Sequence, residues 1–229
     1  MIAGLTDAQG NLSIPGLLET VIPPDSKTME AYRTLGINES QFRLESGMLQ
    51  DVQLLVPPAQ IPESLWRRPS VTITTIEAGR KGQTGNVLLD RAYARISIRL
   101  VPGMHWKHVV HEVSAYLRQN CPWGLSLSIT PDDGANAWVV PTTHPAFQTM
   151  LDALATGYGK PARILGCGAS IPGAPLFSEV FGDIPVLLTG LEDPQANAHG
   201  ENESLDLSDF EKAILAEAEF FFHIKDSAR

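Results

Sequence analysis

Residues 92–120 read AYARISIRLVPGMHWKHVVHEVSAYLRQN, and the hydrophobic period changes partway through. In the first part Ala94, Ile96, Ile98 and Leu100 alternate with Tyr93, Arg95, Ser97 and Arg99, the period of a strand with one apolar face. After Pro102-Gly103 the spacing lengthens: Val109, Val110, Val113 and Leu117 form the stripe of an amphipathic helix. Upstream, SVTITTIEA (70–78) is rich in β-branched residues and reads as another strand, with RKGQTGN (80–86) as the turn between the two. Downstream, GLSLSIT (124–130) alternates again, with Leu125, Leu127 and Ile129 inward. Strand, strand, helix, strand predicts a small α+β unit, one sheet face covered by helix.

Prolines punctuate residues 1–69, at 15, 23, 24, 57, 58, 62 and 69. That stretch reads as irregular, with short helices near Ser26–Leu35 and Glu39–Leu49. From His144 helix and strand alternate. PAFQTMLDALATGYG (145–159) starts on proline and stops at glycine, with Phe147, Met150, Leu151 and Leu154 spaced for one face. ARIL (162–165) reads as a short strand, GCGASIPGAPLFSEVFG (166–182) as a glycine-rich loop entering a helix, and IPVLLTG (184–190) as a strand buried on both faces. The last helix carries Phe210, Ile214, Ala218, Phe221 and Phe222, and Ser208 with Glu211 has the spacing of a capping box. This part predicts α/β architecture, with the 166–172 and 193–206 loops leaving strand ends as neighbours.

The chain has 229 residues and a formal net charge of −9, from 17 Lys+Arg against 26 Asp+Glu. An acidic balance opposes binding to nucleic-acid phosphates. No apolar run approaches the roughly 20 residues that span a bilayer. The start, Met-Ile-Ala-Gly-Leu-Thr-Asp, lacks the basic and apolar regions of a secretory leader. Two cysteines far apart, Cys121 and Cys167, suit a reducing cytoplasm.

Several residues could carry chemistry. His199 sits in the polar loop DPQANAHGENESLD; an imidazole there can ligate zinc, while its spacing alone favours a solvated loop histidine. The GCGASIPG turn offers backbone N–H groups and the Ser170 hydroxyl to an anion, or is merely a tight turn. It lacks the lysine and spacing of a nucleotide loop. Cys167 with His199 as base would make a cysteine hydrolase, but no orienting third residue stands out. His105, His108 and His111 drift around a helix at three-residue intervals, which fits a solvated face better than a metal cluster. Arg99 can take a carboxylate in a bidentate fork or be an ordinary surface arginine.

Three segments in order, ARISIRLVPGMH (94–105), GASIPGAPLF (168–177) and IPVLLTGLEDPQANAHGENESLDLSDFEKAI (184–214), resemble the co-catalytic zinc metallopeptidases of the carnosinase, aminoacylase and glutamate carboxypeptidase type. The resemblance implies that residues 1–69 are a proline-rich insert of the lid domain, 70–140 the lid or dimerisation domain, and 141–229 the C-terminal part of the α/β catalytic domain. It implies two zinc ions in an intact enzyme, with His199 as one ligand. Arg99 and Ser170 would hold a substrate carboxylate, Gly168 and Ala169 would line the same turn, and Asn86 would touch substrate from a neighbouring subunit. The implied reaction is hydrolysis of an amide bond beside a terminal carboxylate-bearing residue, on a small peptide or N-acyl amino acid, in a homodimer; the cytoplasmic setting rests on the two cysteines alone. Cys167 stands where an acidic residue is common, and Ala169 where a second glycine is. The remaining metal ligands and the general-base glutamate belong to the family's first half. The resemblance therefore implies a C-terminal half that begins inside the lid, without the lid's first strand, and is inactive alone. A non-catalytic dimerisation or binding module is the alternative.

Overall fold

The computed structural model describes residues 1–79, 85, 88–168, 171, 173–182 and 184–227, with side chains described to residue 225. In chain order the regular elements are α1 Ser26–Thr34, α2 Glu39–Glu45, α3 Ile61–Arg67, β1 Ser70–Glu77, β2 Tyr93–Arg99, α4 Trp106–Gln119, α5 Pro145–Tyr158, α6 Gly173–Phe181 and α7 Leu207–Ser227. They fall into two compact units, Met1–Gly36 with Leu55–Ala137, and Ile37–Leu54 with Trp138–Arg229.

In the first unit β1 and β2 pair antiparallel, Val71 opposite Ile98 and Ile73 opposite Ile96, with Thr74 as a bulge before Thr75 meets Arg95. The alternation read from the sequence is realised in β2: Ala94, Ile96 and Ile98 are half-buried, while Tyr93, Arg95, Ser97 and Arg99 are exposed. A two-stranded sheet is marginal by itself. Here it lies on a core that includes Val109, Val113 and Leu117 of α4, the predicted stripe of that helix. Val110 is only half-buried.

The same core draws on the stretch that reads as irregular. Leu5, Leu12, Ile14 and Leu17 are among its most buried side chains. A bridge between Thr6 and Leu12 and a bond from Ser13 N–H to the Leu5 carbonyl fold this segment on itself. It is fastened further on by Ile22 N–H, which donates to the Pro102 carbonyl at 2.8 Å. Gly103 makes that approach possible. Its φ is +93°, and a Cβ there would collide with the Thr20 carbonyl oxygen. Helix α1 is capped by Asp25, whose carboxylate accepts Thr28 N–H at 2.7 Å, and its Tyr32 meets Trp66 of α3 edge-on.

GLSLSIT is not a strand. Leu127 and Ile129 do pack on the core, but Leu125 is exposed and the segment pairs with no neighbour among the described residues. Alternation specifies a pleated face; a strand also needs a ladder partner.

The second unit departs further from expectation. Among its described residues neither 162–165 nor 184–190 is a strand, so the α/β sheet predicted for 141–229 is not formed. Ile164, Leu165, Ile184 and Leu188 are exposed, and Val186 and Leu187 only half-buried. A strand of a buried parallel sheet is held by neighbours on both sides, and these two have none. What holds the unit is α5 against α7. Helix α5 has the predicted ends: Pro145 in the first turn, with His144 as cap, its Nδ1 accepting Ala146 N–H at 3.1 Å, and Gly159 left-handed at φ 66°. Its most buried residues are Ala146 and Ala153, with Phe147, Met150, Leu151 and Leu154 half-buried. On α7 the buried residue is Ala216, while Phe210, Ile214, Ala218, Phe221 and Phe222 are exposed. Small residues win the contact because they let the two backbones approach.

The capping box also moves. Helix α7 starts at Leu207, and its cap is Asp206, whose Oδ1 accepts both Ser208 N–H at 2.8 Å and Asp209 N–H at 3.0 Å. Ser208 lies inside the first turn, so its hydroxyl cannot serve as the cap.

Candidate functional site

His199 belongs to a loop closed by its own hydrogen bonds. Asp193 starts it, accepting Gln195 N–H on its carboxylate at 2.6 Å and Ala196 N–H on its carbonyl. Ala196 is buried, and its carbonyl accepts Ser204 N–H at 2.9 Å, which shuts the far end. Inside, the Asn197 side chain donates to the Glu201 carbonyl at 2.7 Å, and Gly200 N–H returns to the Asn197 carbonyl. The Glu203 carboxylate accepts the backbone N–H of His199 at 3.2 Å. Three residues, Asn197, His199 and Asn202, have left-handed backbones with φ of 54°, 60° and 60°. Asparagine takes that conformation more readily than most residues, whereas a histidine there carries a conformational cost. The loop thus fixes where the imidazole starts from and leaves its ring exposed.

Asn197, Glu203 and Asp206 were not singled out from the sequence. Their signal is the Asx and cap chemistry of an Asn/Asp/Glu-rich stretch, legible only once the loop's closure is known.

Arg99 ends β2, opposite Ser70. Its side chain is exposed and has no hydrogen-bond or ion-pair partner among the described residues. A guanidinium in that state can present its fork to a carboxylate. Gly168 and Cys167 are exposed. Ser170, Ala169 and Asn86 lie outside the described residues, so the meeting of Ser170 with His199 does too. The expectation that both loops leave strand ends does not hold, because neither preceding segment is a strand.

The α4 histidines form a solvated face. His108 and His111 flank Glu112 at 3.8 and 3.9 Å, and His105 is exposed at the helix start. Among the described residues no three His, Cys, Asp or Glu side chains gather as they would around a metal. Zinc takes three or four protein ligands, and His199 offers one. The nearby Glu203 carboxylate is engaged by the His199 backbone. By themselves, then, the residues described do not fit a zinc ion. Nor is any described helix long and apolar enough to cross a membrane.

Residues 18–125 match the family described as the peptidase dimerisation domain. The chain is 29% identical over 181 residues to a cysteinylglycine-S-conjugate dipeptidase of Corynebacterium striatum, an alignment covering 78% of this chain and 40% of that one. Human Beta-Ala-His dipeptidase is 25% identical over 232 residues, covering 98% of this chain and 44% of the relative. Among solved structures, human carnosine dipeptidase 1 superposes with a TM-score of 0.77 at 25% identity, over 96% of this chain and 46% of that one. The M20 family metallo-carboxypeptidase Sso-CP2 of Sulfolobus solfataricus shares the fold with a TM-score of 0.83 at 22% identity, over 96% of this chain and 49% of that one. The chain spans less than half the length of the curated relatives it matches. Residues 18–125 are thus homologous to the dimerisation domain of M20 peptidases, and the chain as a whole is homologous to just under half of a dipeptidase polypeptide of the carnosine dipeptidase kind.

Proposed function

We propose that this chain supplies the dimerisation region and part of the substrate site of a zinc-dependent dipeptidase or carboxypeptidase-like amidohydrolase. The observation that carries the reading is the alignment of 98% of the chain with a Beta-Ala-His dipeptidase. Within it, Arg99 and the Ser170 turn with Gly168 and Ala169 receive the substrate's terminal carboxylate. A bidentate guanidinium and a hydroxyl fix the scissile amide at a set distance from that anchor. Asn86 contacts substrate from the neighbouring subunit of a homodimer. His199 contributes one imidazole to a metal site whose other ligands are not among the described residues. A reducing, cytoplasmic setting belongs to the same proposal and rests on two well-separated cysteines.

A test mixes the purified chain with the complementary portion of a homologous dipeptidase and follows hydrolysis of β-Ala-His and cysteinylglycine conjugates, with and without zinc. The expected result is no turnover by the chain alone and zinc-dependent turnover by the mixture. Arg99→Ala and Ser170→Ala should raise KM more than they lower kcat. A second reading, a dimerisation module without catalysis, is favoured by the lack of a metal cluster among the described residues. It would prevail if the chain dimerised and the mixture assembled yet stayed inactive.

A further inference from the structure

Asp133-Gly134 is the only Asp-Gly pair in the sequence, which has no Asn-Gly. In such a pair the side-chain carboxyl lies close enough to the next backbone nitrogen to close a ring on it, and glycine adds no side chain to block the approach. Other aspartates are prevented from reacting this way. Asp7 and Asp25 accept backbone N–H groups, and Asp193 does so too and precedes proline, which has no N–H to react. Asp133 has no hydrogen-bond or ion-pair partner among the described residues, the Gly134 N–H has none either, and both residues are exposed. The neighbours of this pair, by contrast, are fastened. Asp132 accepts from Arg95 of β2 at 2.8 Å. On the other side Gly134 lies against Trp106, where an added Cβ would come 3.2 Å from the Trp106 Cβ. Asn136 accepts the Trp106 N–H at 2.9 Å. His105 gives α4 no side-chain cap, so Asn136 serves in its place.

We propose that Asp133 is a site of spontaneous isoaspartate formation, and that its product releases Asn136 from the start of α4. The Gly134 nitrogen attacks Cγ of Asp133. A C–N bond forms, the bond from Cγ to the carboxyl hydroxyl breaks, and that hydroxyl leaves with the amide proton as water, closing a succinimide. Water then adds to the ring. Addition at the α-carbonyl of Asp133 breaks the original peptide bond, and the chain thereafter runs through Cβ and Cγ. Mass and charge end unchanged, but the backbone is one carbon longer. Upstream, the segment is held by Leu127 and Ile129 in the core and by Arg95 on Asp132. Downstream, residues 134–136 are held by their contacts with Trp106. The extra length is therefore taken up downstream, and the Asn136 cap opens. The inference stands on the first unit alone and does not rest on the catalytic reading.

Ageing the whole chain in warm neutral buffer, followed by peptide mapping with electron-transfer fragmentation, tests it. Isoaspartate should accumulate at 133 ahead of every other aspartate. It should be lost in Asp133→Glu, which keeps the charge but whose longer side chain closes a ring far more slowly. In the separated aged form, amide exchange in the first turn of α4 should be about fivefold faster than in the fresh chain, the worth of one cap. Asn136→Ala should reproduce that rise without ageing. Isoaspartate at 133 no higher than at Asp25 overturns the site. Isoaspartate at 133 with α4 exchange unchanged overturns the link to the cap. None of these outcomes bears on the peptide-hydrolysis assays, so the two readings fail separately.

Discussion

Gly157 of α5 lies against Ala216 of α7 so closely that a Cβ added at 157 would sit 2.9 Å from the Ala216 Cβ and 2.5 Å from the Lys212 carbonyl oxygen. Two forces oppose each other at this position. Alanine in a helix interior is favoured over glycine by about 1 kcal/mol. Against that, one obstacle is backbone, which cannot rotate away, and overpacking a tight contact costs about 1–3 kcal/mol. The contact should win. Gly157→Ala is expected to lower stability in urea unfolding, with loss of the Tyr158 hydroxyl bond to the Asp209 carbonyl that the close approach supports. A variant as stable as the parent would mean that the helices separate without cost.

Leu17 and Leu18 are chain neighbours with opposite roles. Leu17 is fully buried, whereas Leu18 is 46% exposed. Leu17→Ala removes a core side chain and should cost about 2–5 kcal/mol. Leu18→Ala should stay within about 0.5 kcal/mol. Parallel denaturant titrations of the two variants decide whether the N-terminal segment belongs to the core. Equal, small effects would show that it does not.

That segment also marks what the sequence could and could not reveal. Periodic elements were legible because their pattern and their environment agree: β1, β2, α4 and both ends of α5 lie where alternation, a three-to-four spacing and Pro/Gly punctuation put them. Leu5, Leu12, Ile14 and Leu17 have no such period, and only tertiary contact makes them core. The start of α4 is similar, since its Trp106 N–H is satisfied by the Asn136 side chain, thirty residues away. Residues 125–130, 162–165 and 184–190 carry strand composition, but a ladder depends on a partner that local sequence cannot name. At the site, the loop around His199 was legible as polar and Asn-rich. Its closure by Asp193, Asn197 and Glu203 was not, because side-chain-to-backbone bonds leave no periodic trace.

Acid should loosen α1 through its cap. The bond from Thr28 N–H, with help from the Thr28 side chain and Lys27, holds the Asp25 carboxyl below the ordinary 3.8. A carboxyl depressed in the folded state stabilises it above the unfolded-state value, and that contribution is lost as pH falls through the folded value. The parent should therefore be more stable than Asp25→Asn at neutral pH, and the difference should vanish as pH drops below the carboxylate range. Unfolding midpoints of both proteins across that range provide the measurement. A difference that persists into strong acid would show that charge at Asp25 is irrelevant to the cap.

Zinc offers the sharpest separation between a ligand and a site. A ligand that binds only the folded state at one hundred times its Kd adds about 2.7 kcal/mol, a clear rise in Tm. A single exposed imidazole whose neighbouring carboxylate is engaged by backbone cannot reach such occupancy at micromolar metal. The Tm of this chain should thus be unchanged by equimolar zinc or by a chelator, and His199→Ala should behave identically to the parent in both. Once the complementary portion of a homologous dipeptidase is bound, the same zinc addition should raise Tm, and His199→Ala should remove the rise. A zinc-dependent shift in the isolated chain would mean that the described residues already assemble a metal centre. A shift in the mixture that survives His199→Ala would mean that this loop is not a ligand at all.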